Sequence, residues 1–335
     1  MRANGTRWHV ICMEMSAMSD PLLSVQNLKK YFTTDMGIVR AVDDISFDIE
    51  VGETFGLVGE SGSGKSTTAF TVMGVYAPTA GRILFKGREI SLTRVTKRSK
   101  AIKKEMQMVF QDPGSSLNPR QSIKQILELP LKVHGIPKEE RDKKIIELLE
   151  RVELPEDYLD RHPLEIGGGE KQMVAISRAM ATDPSLIALD EPTSALDVSM
   201  QGKIINTLMS LQKEFNYSYL FITHDLSLMR NVATRVGVMY LGKLNEVAPA
   251  AEFFHKPYHP YTKMLLSSIP VISEEEEKMK PEKVVSTGEI PSPVDVPSGC
   301  VFHTRCFECT EVCIEKEPVM VEVEPEHFVR CHLFE

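Results

Sequence analysis

Gly59-Glu60-Ser61-Gly62-Ser63-Gly64-Lys65-Ser66 stands between a short apolar run at residues 54–58 (TFGLV) and a stretch of helical character at residues 65–75. The octapeptide matches G-x-x-x-x-G-K-[ST], a loop that binds phosphate groups. Its glycines let backbone N–H groups turn towards phosphate oxygens, which the positive end of the following helix also faces. Lys65 is suited to the β- and γ-phosphates, and the hydroxyl of Ser66 to Mg²⁺. The strand–loop–helix context therefore predicts a nucleotide site that extends from Gly59 to Thr67.

A second apolar stretch, residues 186–189 (LIAL), ends in two carboxylates, Asp190 and Glu191. At the end of a buried strand beside the phosphate loop, Asp190 can hold the Mg²⁺ shell. Glu191 is then placed to orient or deprotonate a water that attacks the γ-phosphate. An alternative role for the pair is to cap a helix, which the presence of the phosphate loop disfavours. Together the two motifs predict ATP hydrolysis.

Composition and charge restrict the class of protein. The chain has 335 residues, enough for about two domains. Hydrophobic residues make up 42% and charged residues 26%, which is typical of a globular protein. A net charge of −8 argues against a nucleic-acid partner. A basic run at residues 94–104 is accordingly interpreted as a solvated face, because no aromatic residues are interleaved with it.

Shifts in composition divide the chain into three parts. Residues 1–20 are predicted to be a flexible tail without the apolar stretch of a signal peptide, and Met18 is an alternative start. No apolar run approaches the roughly 18 residues of a membrane span, so an intracellular protein is expected. After about residue 248 the sequence becomes rich in Pro and Glu. The predicted division is a tail at 1–20, an ATPase domain at 21–247 and an extension at 248–335.

Strand and helix patterns alternate along the ATPase domain. Residues 21–60 show strand-like alternation, and apolar runs at 106–110, 185–189 and 217–223 predict buried strands. Residues 235–244 predict two more short strands. One helix has an apolar face at a spacing of 3.6 residues, formed by Ile204, Leu208, Leu211 and Phe215. This alternation predicts an α/β domain with a mainly parallel sheet.

The cysteines are unevenly distributed. Cys12 stands alone, and the last 36 residues hold the other five: Cys300, Cys306, Cys309, Cys313 and Cys331. Because an intracellular chain seldom keeps structural disulfides, metal or cluster binding is favoured. A structural cluster that cross-links the segment and has no redox activity is favoured over the alternative of a redox module regulated by the ATPase.

Beyond these two motifs, residues 21–335 resemble the ATP-binding subunits of ABC transporters. Gln111 in VFQD resembles the Q-loop glutamine, residues 192–197 (PTSALD) resemble the D-loop, and His224 in ITHD resembles the switch histidine. Phe32, more than Tyr31, resembles the aromatic residue that stacks on adenine. The resemblance implies catalytic roles for Glu191, His224 and Gln111. It also implies that Mg²⁺ is held by Ser66, Gln111 and Asp190.

Three stretches narrow the resemblance to the oligopeptide/dipeptide importer group: residues 111–120 (QDPGSSLNPR), 255–270 (HKPYHPYTKMLLSSIP) and 288–293 (GEIPSP). The implied α/β fold is a P-loop NTPase (RecA-like) core with an antiparallel β subdomain, a helical subdomain at about 112–184 and a C-terminal Cys-rich extension. Some members bind a [4Fe–4S] cluster in that extension. The matching ligands here are Cys300, Cys306, Cys313 and Cys331, with zinc as the alternative and Cys309 as an extra thiol.

One motif departs from the family pattern. The usual Leu-Ser-Gly-Gly is replaced by Ile166-Gly167-Gly168-Gly169, and Glu170 follows. In the family this signature closes on the ATP of the facing subunit, so Gly167, Gly168, Gly169, Glu170 and the D-loop residue Asp197 are implied to act in trans. Gly167 keeps its backbone N–H but lacks the serine hydroxyl. The departure predicts unequal ATP sites and a paralogous partner.

The resemblance implies an ATP-binding and hydrolysing subunit that powers peptide import from the cytoplasmic face of the cell membrane. Its implied partners are a second ABC ATPase subunit, two transmembrane permeases and an extracytoplasmic solute-binding protein. One alternative is a non-transport ABC ATPase, disfavoured because the chain has neither a long coiled-coil insertion nor a second ATPase half. Another is an importer of oligosaccharides or nickel.

Overall fold

Two β-sheets and their surrounding helices make up the fold in the computed structural model, which describes residues 20–91, 97–194, 196–269 and 288–335. The strands are β1 (Leu23–Thr34), β2 (Gly37–Ile49), β3 (Thr54–Val58), β4 (Ala80–Phe85), β5 (Arg88–Glu89), β6 (Met106–Val109), β7 (Leu186–Asp190), β8 (Ser218–Thr223), β9 (Arg235–Tyr240), β10 (Lys243–Pro249), β11 (Met320–Glu324) and β12 (His327–Arg330). The helices are α1 (Lys65–Val72), α2 (Lys100–Glu105), α3 (Pro113–Ser116), α4 (Ile123–Val133), α5 (Lys138–Glu150), α6 (Gly168–Met180), α7 (Val198–Phe215), α8 (Leu226–Val232), α9 (Ala250–His255), α10 (Pro260–Ser267) and α11 (Glu311–Glu315). Short 3₁₀ turns lie at Glu156–Asp160, Pro163–Glu165, His303–Arg305 and His332–Phe334.

The larger sheet has eight strands in the order β11-β12-β10-β9-β3-β8-β7-β6. Its central strands β9, β3, β8, β7 and β6 are parallel, and every residue of β3, β7 and β8 is buried. Helices on both faces explain why these strands are continuous apolar runs in the sequence. The carboxyl ends of β3 and β7 lie at one edge, separated only by β8, and this edge carries the site.

The smaller sheet is antiparallel, in the order β2-β1-β4-β5. It shares one hydrophobic core with the larger sheet and with α1, through residues such as Phe55 and Leu57 of β3 and Val72 of α1. The rings of Phe47 and Phe55 stack at 4.8 Å between centroids across the two sheets. The predicted mixed α/β fold with an antiparallel β part is therefore confirmed.

The helices α3 to α6 occupy residues 113–180, within the range predicted to be helical. Ser122 and Gln125 form a capping box that fixes the start of α4. A proline in a helical sequence pattern predicts a break, but Pro130 lies inside α4. Leu127 and Leu131 on the buried face of α4 share one core cluster with Val174 of α6.

The C-terminal residues are joined to the core rather than separate from it. β12 pairs with β10 in antiparallel register, with Glu246 opposite Val329, and β11 adds the edge strand. The predicted domain boundary at residue 247 falls inside β10, so the division at that point does not match a structural break. Within the four described ranges, none of the helices combines the length and apolar composition needed to cross a bilayer.

Candidate active site

A cavity of about 610 Å³ lies at the sheet edge where β3 and β7 end. It is lined by the phosphate loop, the Q-loop glutamine, the carboxylate that follows β7 and the histidine that follows β8. The lining residues are Val39, Ala41, Gly59, Glu60, Ser61, Gly62, Gly64, Lys65, Ser66, Thr67, Gln111, Glu191, His224, Leu226, Leu265 and Pro293. Residues far apart in sequence thus form a single pocket.

The phosphate loop requires glycine at two places. Gly59 and Gly64 have φ values of 146° and 106°. A side chain at Gly59 would collide with the carbonyl oxygen of Met239, and one at Gly64 with that of Ala41. The loop therefore lies directly against the backbone of β2 and β9, and α1 starts at Lys65 immediately after it.

Lys65 is buried, and its ammonium group donates to the carbonyl oxygens of Gly59 at 2.8 Å and Glu60 at 2.9 Å. Burial lowers the pKa of Lys65, while Glu191, Asp190 and Glu60 act in the opposite direction. The cation is thus held inside the loop and faces three carboxylates. Such a position suits a group that exchanges loop carbonyls for phosphate oxygens.

The oxygen ligands expected for Mg²⁺ also come together. The hydroxyl of Ser66 donates to Asp190 at 2.8 Å, which links α1 to the end of β7. Burial raises the pKa of Asp190, an effect that the hydrogen bond from Ser66 and the charge of Lys65 oppose. A hydroxyl, a carboxylate and the nearby amide of Gln111 are the hard oxygen donors that Mg²⁺ prefers, so these residues fit the ion.

Glu191 is held through both carboxylate oxygens. The amide of Gln111 donates to one oxygen at 2.9 Å, and Nδ1 of His224 lies 3.2 Å from the other. The backbone of Glu191 has a φ of 45°, which is unusual for a residue with a side chain. Its N–H donates to the carbonyl of Ile222 in β8 at 2.9 Å. Glu191 thus contacts both of the other predicted catalytic residues, Gln111 and His224.

The signature residues lie outside this cavity, at the start of α6. Gly167 precedes the helix and provides no side-chain cap, while the carboxylate of Glu170 folds back over it. A side chain at Gly167 would meet that carboxylate. Gly169 is covered by the side chain of Met200 from α7.

Asp197 caps α7 by accepting from the N–H of Met200 at 3.0 Å and from the hydroxyl of Ser199 at 2.9 Å. These hydrogen bonds lower the pKa of Asp197. Asp197 therefore has a structural role in this chain besides its predicted role in trans. Its D-loop neighbour Ala195 lies outside the described residues, as do Cys12, Arg94 and the Glu run at 274–277.

The aromatic residues predicted to contact adenine are not among those that line the cavity. The ring of Phe32 packs edge-on against Tyr76 at 5.2 Å between centroids, with the ammonium of Lys30 4.6 Å from its centre. Tyr31 donates its hydroxyl to Asp43. Neither aromatic residue lines the cavity, so adenine stacking by Phe32 stays a prediction.

Three residues of the C-terminal region that carried no predicted role reach the phosphate loop or its neighbour β2. The hydroxyl of Tyr261 accepts from the N–H of Glu60 at 3.0 Å, and Arg305 forms an ion pair with the Glu60 carboxylate at 2.6 Å. The carbonyl of Pro293 accepts from the N–H of Arg40 at 3.3 Å. Tyr261 and Pro293 belong to stretches that the sequence marked only as typical of the importer group.

The cysteine-rich segment places Cys300, Cys313 and Cys331 in buried positions and leaves Cys306 half-buried. Burial raises the pKa of Cys300 to about 11 and that of Cys306 to about 12. Among the described residues, no three His, Cys, Asp or Glu side chains are grouped closely enough to hold a metal ion. The predicted metal centre thus finds no support in this arrangement.

Comparison with known proteins places these features in a family. The family model "ABC transporter" matches residues 42–194, and the model "Oligopeptide/dipeptide transporter, C-terminal region" matches residues 245–313. The oligopeptide transport ATP-binding protein AppF of Bacillus subtilis (strain 168) is 47% identical over 327 residues, covering 95% of this chain and 99% of AppF. The oligopeptide transport ATP-binding protein OppF of the same strain is 43% identical over 316 residues, covering 94% of this chain and 97% of OppF.

Solved structures give the same result for the fold. The ATP-binding cassette MJ0796, in a dimeric post-hydrolysis state bound to ADP and Pi, has a TM-score of 0.61 and 28% identity. It covers 68% of this chain, which covers 98% of MJ0796. CbiO1 of Clostridium perfringens, part of the ABC transporter complex cbiONQ, has a TM-score of 0.63 and 28% identity. The match covers 71% of this chain and 92% of CbiO1. The chain belongs to the ABC transporter family, in its group of oligopeptide transport ATP-binding proteins.

Proposed function

We propose that this chain binds and hydrolyses ATP to power peptide import by an ABC transporter. The observation that carries the proposal is the contact of Glu191 with both Gln111 and His224, in the cavity that also holds the phosphate loop. The relatives described as oligopeptide transport ATP-binding proteins support the peptide class of substrate.

ATP enters with its phosphates against residues 59–67. Lys65 releases the carbonyl oxygens of Gly59 and Glu60 and donates to the β- and γ-phosphates instead, which replaces neutral acceptors by charged ones. Ser66, Asp190 and Gln111 would hold Mg²⁺, which when bound would neutralise charge on the phosphate oxygens.

Hydrolysis depends on a water that Glu191 orients and deprotonates. Gln111 and His224 fix both oxygens of Glu191, so the carboxylate is restricted to one orientation before ATP arrives. His224 is half exposed, with 56% of its side chain accessible, whereas the side chain of Glu191 is 15% accessible. The exposed histidine is therefore the member of the group best placed to contact the γ-phosphate from the solvent side.

The active form is proposed to be a sandwich of this chain with a second, paralogous ATPase subunit. The dimeric MJ0796 structure supports a dimer, and the departure at Gly167 supports unequal partners. In that dimer the start of α6, with Gly167 to Glu170, faces the partner's ATP. The carboxylate of Glu170 over Gly167 places a negative charge where the family pattern has a hydroxyl donor, which disfavours binding of the γ-phosphate there.

The remaining partners are two permeases and an extracytoplasmic solute-binding protein, which place the chain at the cytoplasmic face of the membrane. The helices α3 to α6 contact the permease, and Gln111 links them to the γ-phosphate.

For the cysteine-rich segment we propose that Cys300, Cys306, Cys313 and Cys331 bind a [4Fe–4S] cluster, or zinc as the alternative. The order of these four cysteines along the sequence, which resembles the C-terminal segment of the family, supports this proposal.

The proposal is tested in the transporter reconstituted with its permeases and binding protein. Peptide uptake should require ATP and should stop in the Lys65→Ala variant. Oligosaccharide and nickel uptake serve as the comparison for substrate class. Uptake of either in place of peptides would refute the substrate, and normal uptake by Lys65→Ala would refute the ATPase role.

A further inference from the structure

The C-terminal region contacts one residue of the phosphate loop, Glu60, through an arginine side chain. The guanidinium of Arg305 donates to the two carboxylate oxygens of Glu60 at 2.6 and 3.0 Å, a bidentate contact. The side chain of Arg305 is only 9% exposed and that of Glu60 25%. A partly buried, two-point ion pair of this geometry is directional and is weakly screened by salt.

The same loop residue is fixed at its backbone. The N–H of Glu60 donates to the hydroxyl of Tyr261, and its carbonyl accepts from Lys65. Tyr261 is fully buried, and its ring packs against those of Tyr240 at 4.8 Å and Phe302 at 5.2 Å. Two of the residues that anchor Glu60 are therefore more than 200 positions further along the chain.

We propose that Arg305 and Tyr261 are positioning residues for the phosphate loop, and that the C-terminal region thereby sets the affinity of the site for ATP. The proposal rests on the ATP-binding role argued above. Arg305 acts through Glu60 and need not touch the nucleotide itself.

The charges around the phosphate loop favour this role for Arg305 as well. Lys65 already faces the carboxylates of Asp190, Glu191 and Glu60, and ATP brings several further negative charges to the same place. Arg305 neutralises one of those carboxylates. Without Arg305, the charge of Glu60 would remain beside the phosphates and oppose their binding. Loss of the ion pair should therefore weaken nucleotide binding more than it slows the chemical step.

The test uses the purified full-length chain and measures the Kd for Mg-ATP, followed by KM and kcat for ATP in the reconstituted transporter. We expect Arg305→Gln to raise Kd and KM by about three- to tenfold, with kcat changed by less than about twofold. The double variant Arg305→Gln/Glu60→Gln should bind Mg-ATP more tightly than Arg305→Gln alone, because the unbalanced charge is removed. Tyr261→Phe should give a smaller rise.

Arg330→Gln is the matched control. Arg330 is also a partly buried arginine of the C-terminal region, paired with Glu317 at 3.2 Å, and it does not contact the phosphate loop. Its Kd should not change. An unchanged Kd for Arg305→Gln, an equal rise for Arg330→Gln, or no recovery in the double variant would each overturn the proposal.

Thermal unfolding of each variant separates positioning from loss of the fold. If Arg305→Gln does not fold, Arg305→Lys replaces it, since lysine keeps the charge and loses only the bidentate contact. Its Kd should then lie within about threefold of the unaltered chain, and adding Glu60→Gln should not improve it. A rise in Kd of more than tenfold for Arg305→Lys would overturn the charge argument. Failure of the unaltered chain to bind ATP at all would refute the proposed function instead.

Discussion

Replacing Glu191 by glutamine isolates its role as a base from its role in the structure. The amide has the same shape as the carboxylate, and its oxygen can still accept from Gln111, which is 2.9 Å away. Its NH₂ group then faces Nδ1 of His224, at the position now 3.2 Å from the carboxylate, and the neutral imidazole can accept there in its other tautomer. The local structure and the phosphate loop should therefore be preserved.

What the variant loses is proton acceptance. General-base catalysis is worth about 10²–10⁴-fold in rate, which corresponds to roughly 2.7–5.5 kcal/mol of activation free energy. We expect kcat for ATP in the reconstituted transporter to fall by that factor, while the Kd for Mg-ATP changes by less than about twofold. The closed ATP-bound dimer should accumulate as a result.

The assay compares ATP hydrolysis and ATP binding in the same preparation. Glu147→Gln is the control, since Glu147 is an exposed carboxylate on α5 that pairs only weakly with Lys143, at 3.7 Å. A fall in kcat of less than tenfold would show that Glu191 is not the base. A parallel loss of ATP affinity would show that the substitution had disturbed the site as a whole.

Four further outcomes are expected. Lys65→Ala should weaken ATP binding about ten- to hundredfold, because a hydrogen bond to a charged group contributes about 1.5–3 kcal/mol, and equilibrium titration with Mg-ATP measures this. Gly167→Ser should raise turnover at the partner's site in the paired ATPase, provided that Glu170 moves aside; an equally active homodimer of the unaltered chain would contradict it. Anaerobic purification followed by iron, sulfide and zinc analysis should give about four irons and four sulfides per chain, and neither element would leave the cysteines as thiols. Burial lowers the pKa of His259 to about 4, whereas the unfolded chain has the ordinary histidine pKa of about 6.5. The free energy of unfolding should therefore fall as pH drops from above 6.5 towards 4, by about 2 kcal/mol between pH 7 and 5. Urea unfolding measures this: the unaltered chain should lose stability with falling pH more steeply than His259→Gln.

The core of the site was predictable because its parts are local in sequence. The phosphate loop is contiguous, and the buried strands β3 and β7 are recognisable as apolar runs. Once both are placed in a parallel sheet, the carboxyl end of β7 must lie near the loop, and Asp190 follows. The hydrogen bond from Ser66 to Asp190 is the consequence of that topology.

The contacts made by the C-terminal region could not be predicted in the same way. Arg305 and Glu60 are 245 residues apart, and no periodicity or spacing relates them. The pairing of β12 with β10 was missed because β12 has only four residues and follows a Pro- and Glu-rich stretch. Pro130 inside α4 shows the converse error, since tertiary packing and the capping box maintain a helix through a residue that usually ends one.

The position of Arg305 and β12 near the end of the chain has a consequence for synthesis. A ribosome adds residues from the amino terminus, and β10 ends at Pro249, 56 positions before Arg305. Until the last residues emerge, β10 has no partner strand on its outer side and Glu60 lacks its arginine. The phosphate loop of the nascent polypeptide is therefore synthesised before its contact with Arg305 can form. A polypeptide that has emerged only as far as β10 should therefore bind Mg-ATP about three- to tenfold more weakly than one in which Arg305 has reached Glu60.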